Sequence, residues 1–208
     1  MDTLRITGIR PVTKQKFQVE INGQPAFVLY KGELSRYHIV QEEELSQEIY
    51  REITEEILTK RAKLRAMHLL EAGDKTREQV RQKLVQGGYP SCAVEAALAY
   101  VESFHYIDDK RYAAVYVENQ SRKKGRARIR MELLQKGVKQ EIIDTVFEEQ
   151  EQSQDQEPRT VIRELIRKKT GGEGLAGDKE KQRLYGFLQR RGFSSSDILS
   201  AFREWENE

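Results

Sequence analysis

Between Arg122 and Arg130 six of nine residues are basic and none is acidic. Such a run attracts a polyanion or an acidic protein face. Arg122, Lys123 and Lys124 precede Gly125, while Arg126, Arg128 and Arg130 follow it, so the charges flank a turn with no neighbouring acid to compensate them. A similar density appears at Arg167, Lys168 and Lys169 and at Arg190 and Arg191. Over the whole chain 36 basic side chains nearly cancel 34 acidic ones, and the concentration is therefore local. Long cations also cap helix carboxyl ends and cover apolar surface, which is the bland account of the same residues.

Other chemistry is sparse. His38, His68 and His105 stand far apart, and Cys92 is the single cysteine, so neither a metal site nor a disulfide framework is expected. The glycines from 172 to 177 resemble a phosphate loop only superficially. Asp178 and Lys179 follow them where Lys then Ser/Thr would be needed, and no strand precedes them. Adjacent carboxylates such as Asp108 and Asp109 are the usual caps before a helix. No convergent set of reactive groups emerges, and the expectation is a protein without catalytic residues or cofactor.

The basic run is carried by a repeat. With Ile129 as zero, Leu133 falls at plus four, Gly137 at plus eight, Val138 at plus nine, Ile143 at plus fourteen and Phe147 at plus eighteen. The same offsets give Val80, Leu84, Gly88, Tyr89, Val94 and Leu98, and again Leu184, Leu188, Gly192, Phe193, Ile198 and Phe202. Apolar residues four apart share a helix face. A glycine after them marks a left-handed helix end, and the apolar residue that follows is its usual packing partner. Each unit thus predicts a helix, a glycine turn and a second helix. A further helix precedes each pair, around 62–72, 110–122 and 160–169. Thr76 with Gln79, and Ser194 with Asp197, suit helix amino termini, and Pro158 suits a first helical turn.

The amino-terminal residues read differently. Phe17, Val19 and Ile21 alternate with polar residues, Asn22-Gly23 supplies a turn, and Ala26 to Tyr30 is β-rich, which predicts a hairpin or three-stranded sheet with Leu4 to Val12 as first strand. Gly32 to Tyr37 breaks it, and Gln41 opens a helical tract in which Ile49, Ile53 and Ile57 recur every four residues. The expected fold is mainly α: three tandem three-helix repeats in an elongated, curved array, preceded by a small β segment and helix. Expected boundaries are 1–60 for the extension and 61–107, 108–150 and 151–208 for the repeats. Insertions fall between Glu148 and Glu157, read as a linker or a fraying helix end, and between Thr170 and Asp178, read as an exposed loop. No apolar run is long enough to span a bilayer, and a cytoplasmic protein is the default.

Arg111-Tyr112-Ala113, Lys124-Gly125, Ile129-Arg130, Glu132-Leu133 and Lys136-Gly137-Val138 together resemble the central motif of the RecX family, bacterial regulators of the RecA recombinase. The resemblance runs from about Ala62 to the carboxyl end, and residues 1–60 look like the extension of the longer, Gram-positive-type members. Repeat one departs from the commoner pattern at Thr76 to Val80. The resemblance implies a noncatalytic protein lodged in the groove of a RecA filament on DNA, restraining ATP hydrolysis, filament growth and strand exchange in recombination and repair. It also implies sequence-independent contact with single- or double-stranded DNA. It carries Arg111, Lys124, Arg130 and Lys136 over as binding residues; Arg122, Lys123, Arg126 and Arg128 come from charge alone. A monomer with several weak sites would gain affinity from effective concentration. The alternative is a general DNA-binding protein using basic helical repeats.

Overall fold

The computed structural model describes residues 3–152, 157–171 and 177–206. Of the expected insertions, residues 153–156 and 172–176 lie outside the described residues, while 148–152 belong to a helix that ends at Gln152. The chain divides into two compact units, Met1–Asp108 and Asp109–Glu208.

In the first unit β1 (Leu4–Pro11), β2 (Lys16–Ile21) and β3 (Gln24–Tyr30) form a meander, and β4 (Glu44–Leu45) adds to the free edge of β1. The order is β3-β2-β1-β4, with every neighbouring pair antiparallel. Asn22 and Gly23 both have positive φ, 50° and 78°, between paired Ile21 and Gln24. That is the two-residue hairpin whose twist matches the flanking strands. The short β4 was not expected, because two residues carry no alternation to read. The β run does break before Gly32 to Tyr37: β3 ends at Tyr30 and a short helix, α1 (Lys31–Arg36), follows.

The helical tract begins at Gln47 rather than Gln41, where the Ser46 hydroxyl accepts from the Ile49 amide at 3.2 Å. It runs as α2 (Gln47–Arg51), a π-helical stretch (Glu52–Leu58) and α3 (Thr59–Glu71). The wide turn explains which side chains are buried. Ile53 and Leu58, five apart, are fully buried with Ala62 and Ala66, while Ile57 is only half-buried. One extra residue per turn thus moves the stripe from the expected Ile57 to Leu58. Hydroxyl groups stabilise the opening, with Thr54 donating to the Tyr50 carbonyl at 2.8 Å and Thr59 to the Thr54 carbonyl at 2.9 Å. α4 (Arg77–Gln86) and α5 (Ser91–Ser103) complete the first repeat. Ile6, Phe27 and Leu29 of the sheet share one core with Ile53, Leu84 and Leu98 of the helices. The extension and the first repeat therefore exclude water together.

The second unit holds two repeats, each with its own core. α6 (Asp109–Ser121), α7 (Arg126–Gln135) and α8 (Gln140–Gln152) enclose Val117, Ile129, Leu133, Ile143 and Phe147. α9 (Pro158–Thr170), α10 (Asp178–Arg190) and α11 (Ser195–Glu206) enclose Ile162, Ile166, Leu184, Leu188 and Ile198.

The plus-eight glycines have φ of 78° at Gly88, 82° at Gly137 and 86° at Gly192. All three turns make the same pair of hydrogen bonds. The amide after the glycine donates to the plus-four leucine carbonyl: Tyr89 to Leu84 at 3.4 Å, Val138 to Leu133 at 3.1 Å, Phe193 to Leu188 at 3.3 Å. The glycine amide donates one residue further on, to Val85, Leu134 and Gln189. This is the Schellman closure, and it presses the plus-nine side chain against the buried leucine. Gly137→Ala should cost about 1 kcal/mol, the penalty of a left-handed non-glycine residue, read as a lower midpoint in denaturant with an unchanged slope.

Candidate interaction surface

The α6–α7 turn and the end of α10 are joined through their backbones. The Gly125 amide donates to the Arg191 carbonyl at 2.8 Å, and Arg191 Nη1 donates to the Lys123 carbonyl at 2.9 Å. A Cβ on Gly125 would fall 2.1 Å from the Gly192 carbonyl oxygen, and one on Gly192 would fall 2.4 Å from the Arg128 amide nitrogen. Neither obstacle is a flexible side chain. Both positions therefore require glycine, and Gly192 requires it a second time for its φ. The joint brings two groups of cations, 122–128 and 190–191, into one neighbourhood.

Those cations divide into two kinds. Lys124 Nζ donates to both oxygens of Glu132, at 2.9 and 2.7 Å, and Arg128 Nε reaches Glu132 Oε1 at 2.9 Å. The Tyr116 hydroxyl donates to Glu132 Oε2 at 2.8 Å, and Lys136 Nζ sits 5.3 Å from the Tyr116 ring centre. Burial works against the Glu132 carboxylate, but the bonds from Lys124, Tyr116 and Arg128 outweigh it and hold its pKa down to about 2. Burial and then the bond to Glu132 push the Tyr116 phenol up to about 12. Arg126 pairs with Glu151 and Arg130 with Asp144. Both guanidiniums also lie over the Phe147 ring, at 5.1 and 5.5 Å.

The expectation of an uncompensated cluster is thus corrected for four of its six cations. Their acids arrive from one turn along α7 and from the facing α8, where a reading of sequence neighbours does not look. Arg122 and Lys123 are the other two. Both are exposed and make no ion pair among the described residues.

The remaining candidates are spread more widely. Arg111 is exposed on α6. On α9, Arg167 lies over the Trp205 ring at 5.7 Å and Lys169 over Phe187 at 5.2 Å. Arg191 lies over the same Phe187 ring, 4.6 Å from its centre. Lys168 and Arg190 are exposed and unpaired among the described residues. Arg190 follows Gln189 into the joined turns, so Arg122, Lys123 and Arg190 form the outward-facing remainder. Beside the joint lies a cleft of about 1140 Å³. Its walls are apolar at Val117, Phe147 and Phe193, and its charged groups include Arg126 already held by Glu151.

The site and fold define a tandem three-helix-repeat protein whose polar chemistry is displayed on turns. Models of the first, second and third three-helix domains of RecX match residues 62–100, 108–146 and 155–202. The regulatory protein RecX of Clostridium tetani is 27% identical over 92% of this chain and 88% of its own length. That of Caldanaerobacter subterraneus is 29% identical over 93% and 95%, and that of Halorhodospira halophila 33% over 65% and 83%. A crystal structure of regulatory protein RecX superposes with a TM-score of 0.63 at 23% identity, covering 97% of this chain and 99% of that one. RecX from Lactobacillus salivarius gives 0.61 at 19%, covering 73% and 99%. The chain belongs to the RecX family of regulatory proteins.

Two outcomes test the geometry. A depressed folded pKa means that Glu132 contributes stability in full above its unfolded value of about 4.3 and loses it as pH falls toward 2. The stability gap between the native chain and Glu132→Gln should therefore be widest near pH 6 and shrink by pH 3, measured by urea titration at each pH. Gly125→Ala should cost more than Gly137→Ala, because it forces backbone away from backbone as well as adding a methyl group.

Proposed function

We propose that this chain restrains the RecA recombinase by seating its helical repeats in the groove of the RecA–DNA filament, slowing ATP hydrolysis, filament growth and strand exchange. It acts as a cytoplasmic monomer without catalysis of its own, with repeats over 61–107, 108–150 and 151–208 as successive contact units behind the 1–60 extension. Family membership supports the class of partner. The observation that carries the choice of surface is the joined pair of turns, which leaves Arg122, Lys123 and Arg190 exposed and without an acid among the described residues, while Lys124, Arg126, Arg128 and Arg130 are committed inside the unit. Unpaired surface cations are available to acidic side chains or phosphates at no cost in internal pairs. Lys168 on α9 extends the set; Arg111 and Lys136 are further contact candidates through the family motif alone, not as unpaired cations. Engagement of one unit raises the effective concentration of the others.

Removing three exposed charges should weaken regulation without unfolding the chain. If each contact contributes even about 0.5 kcal/mol, Arg122→Ala, Lys123→Ala and Arg190→Ala together shift the inhibition midpoint by roughly tenfold. The measurement is recombinase ATPase on single-stranded DNA against concentration of this chain, with helicity checked by circular dichroism. An unshifted curve at native helicity rejects the surface. The competing reading is a general DNA-binding protein. It predicts tighter binding to bare than to recombinase-coated DNA, with a slope of log affinity on log salt of about −3 to −4 for four phosphates.

A further inference from the structure

The face of α7 turned away from its core is apolar. Ala127, Met131 and Leu134 follow one another at steps of four and three, so they form a single stripe along the helix. All three are exposed, Met131 by 43% and Leu134 by 42%. One such side chain on a surface is ordinary, but three in a row leave a continuous apolar strip in water. Ile129 and Leu133 fill the core from the opposite face, and α7 is therefore apolar on two sides.

The sibling repeats show that the fold does not ask for this. At the same offsets from the first anchor, minus two, plus two and plus five, α4 carries Glu78, Gln82 and Val85, and α10 carries Gln182, Gly186 and Gln189. Both helices bury the same anchors, Val80 with Leu84 and Leu184 with Leu188, and both end in the same closure. Polar side chains at these offsets thus leave the repeat intact. The apolar stripe of α7 serves something outside it.

Charge narrows what that is. Arg128 borders the stripe on one side and Arg130 on the other, held by Glu132 and Asp144. Arg122 and Lys123 stand just before the helix and Lys139 just after it, all exposed and without an ion pair among the described residues. Glu132 is the single acid of α7 and is already bonded to Lys124 and Arg128. The next acid, Glu141, lies in the first turn of α8, where it suits that helix's amino terminus. An apolar strip in a cationic surround fits a protein face with an apolar centre and acidic edges. A second copy of the same face would set cation against cation. A phosphate backbone would satisfy the charges and leave the stripe uncovered.

We propose that the outer face of α7 is a protein-docking surface: Ala127, Met131 and Leu134 seat in an apolar groove of a recombinase protomer, while Arg122, Lys123 and Lys139 meet carboxylates at the edge of that groove and not phosphates. A row at i, i+4 and i+7 is the usual set of anchors for a helix laid in a groove. The proposal rests on the reading that the recombinase filament is the partner, and within that reading it assigns this surface to protein.

The test compares binding of the full chain to fluorescein-labelled single-stranded DNA, bare and coated with recombinase, at one salt concentration. Met131→Gln with Leu134→Gln places at each position the residue that a sibling repeat carries there, Gln82 and Gln189, so helicity and urea midpoint should hold. Affinity for coated DNA should fall by about tenfold or more as apolar burial is lost, and affinity for bare DNA should stay unchanged. Met131→Leu, close in volume, should keep the native affinity. Ala127→Glu puts an acid in the first turn of α7, where it favours the helix, and should weaken binding to coated DNA by facing the acidic edge. Native affinity of the glutamine variant for coated DNA overturns the proposal and leaves the filament reading standing. An equal fall on bare and coated DNA overturns it, since the face would then lie on nucleic acid. A native chain that sediments as a dimer, with a monomeric glutamine variant, overturns it in favour of a second copy. A native chain that does not bind coated DNA overturns the filament reading and the proposal together.

Discussion

One left-handed residue, eight places after the first apolar anchor, shapes every repeat. It turns the chain so that the next side chain covers the leucine at plus four, and the second apolar stripe of the repeat starts from there. In Gly192 the same requirement meets another. That residue must also let the α6–α7 turn approach to backbone distance, and Gly125 answers it from the other side. Backbone meets backbone at this joint, with the Arg191 guanidinium bond to the Lys123 carbonyl added beside it. Its geometry is consequently stiff, because packed backbone has no rotamers to exchange.

The joint sorts the cations by use. Lys124 and Arg128 converge on one carboxylate, and Arg126 and Arg130 share the face of Phe147 while pairing with α8. These side chains hold α6, α7 and α8 together. Arg122, Lys123 and Arg190 are left on the rim of the joined turns. A run of charge that looks uniform in the sequence thus separates into an internal part and an external part. The proposed regulatory role draws on the second, and the first keeps it in place.

Much of the fold was readable because glycine and apolar spacing carry strict conformational meaning. The six offsets located every repeat turn, the Asn22-Gly23 hairpin followed from its dihedral demands, and Thr76 with Gln79 forms the reciprocal cap. What escaped reading was nonlocal or irregular. The π-helical stretch moved the buried stripe from Ile57 to Leu58, and no four-residue periodicity announces a five-residue step. The β4 strand owes its existence to the edge of β1. At the site, Arg128 and Glu132 are four apart on one helix and could have been paired by that rule. Asp144, Glu151 and the touch of Gly125 on Gly192 needed the three-dimensional arrangement.

Proximity of the rim to its partner is the most direct measure of this account. A photo-crosslinker attached at Lys123→Cys, in a chain whose exposed Cys92 has been changed to serine, should give adducts with the recombinase or the DNA when filaments are assembled and irradiated. Native Cys92, labelled in a chain that keeps Lys123, supplies the comparison. Adducts from position 123 at higher yield than from position 92 are the predicted result. No adduct from 123, with filament inhibition by the labelled chain intact, would contradict it.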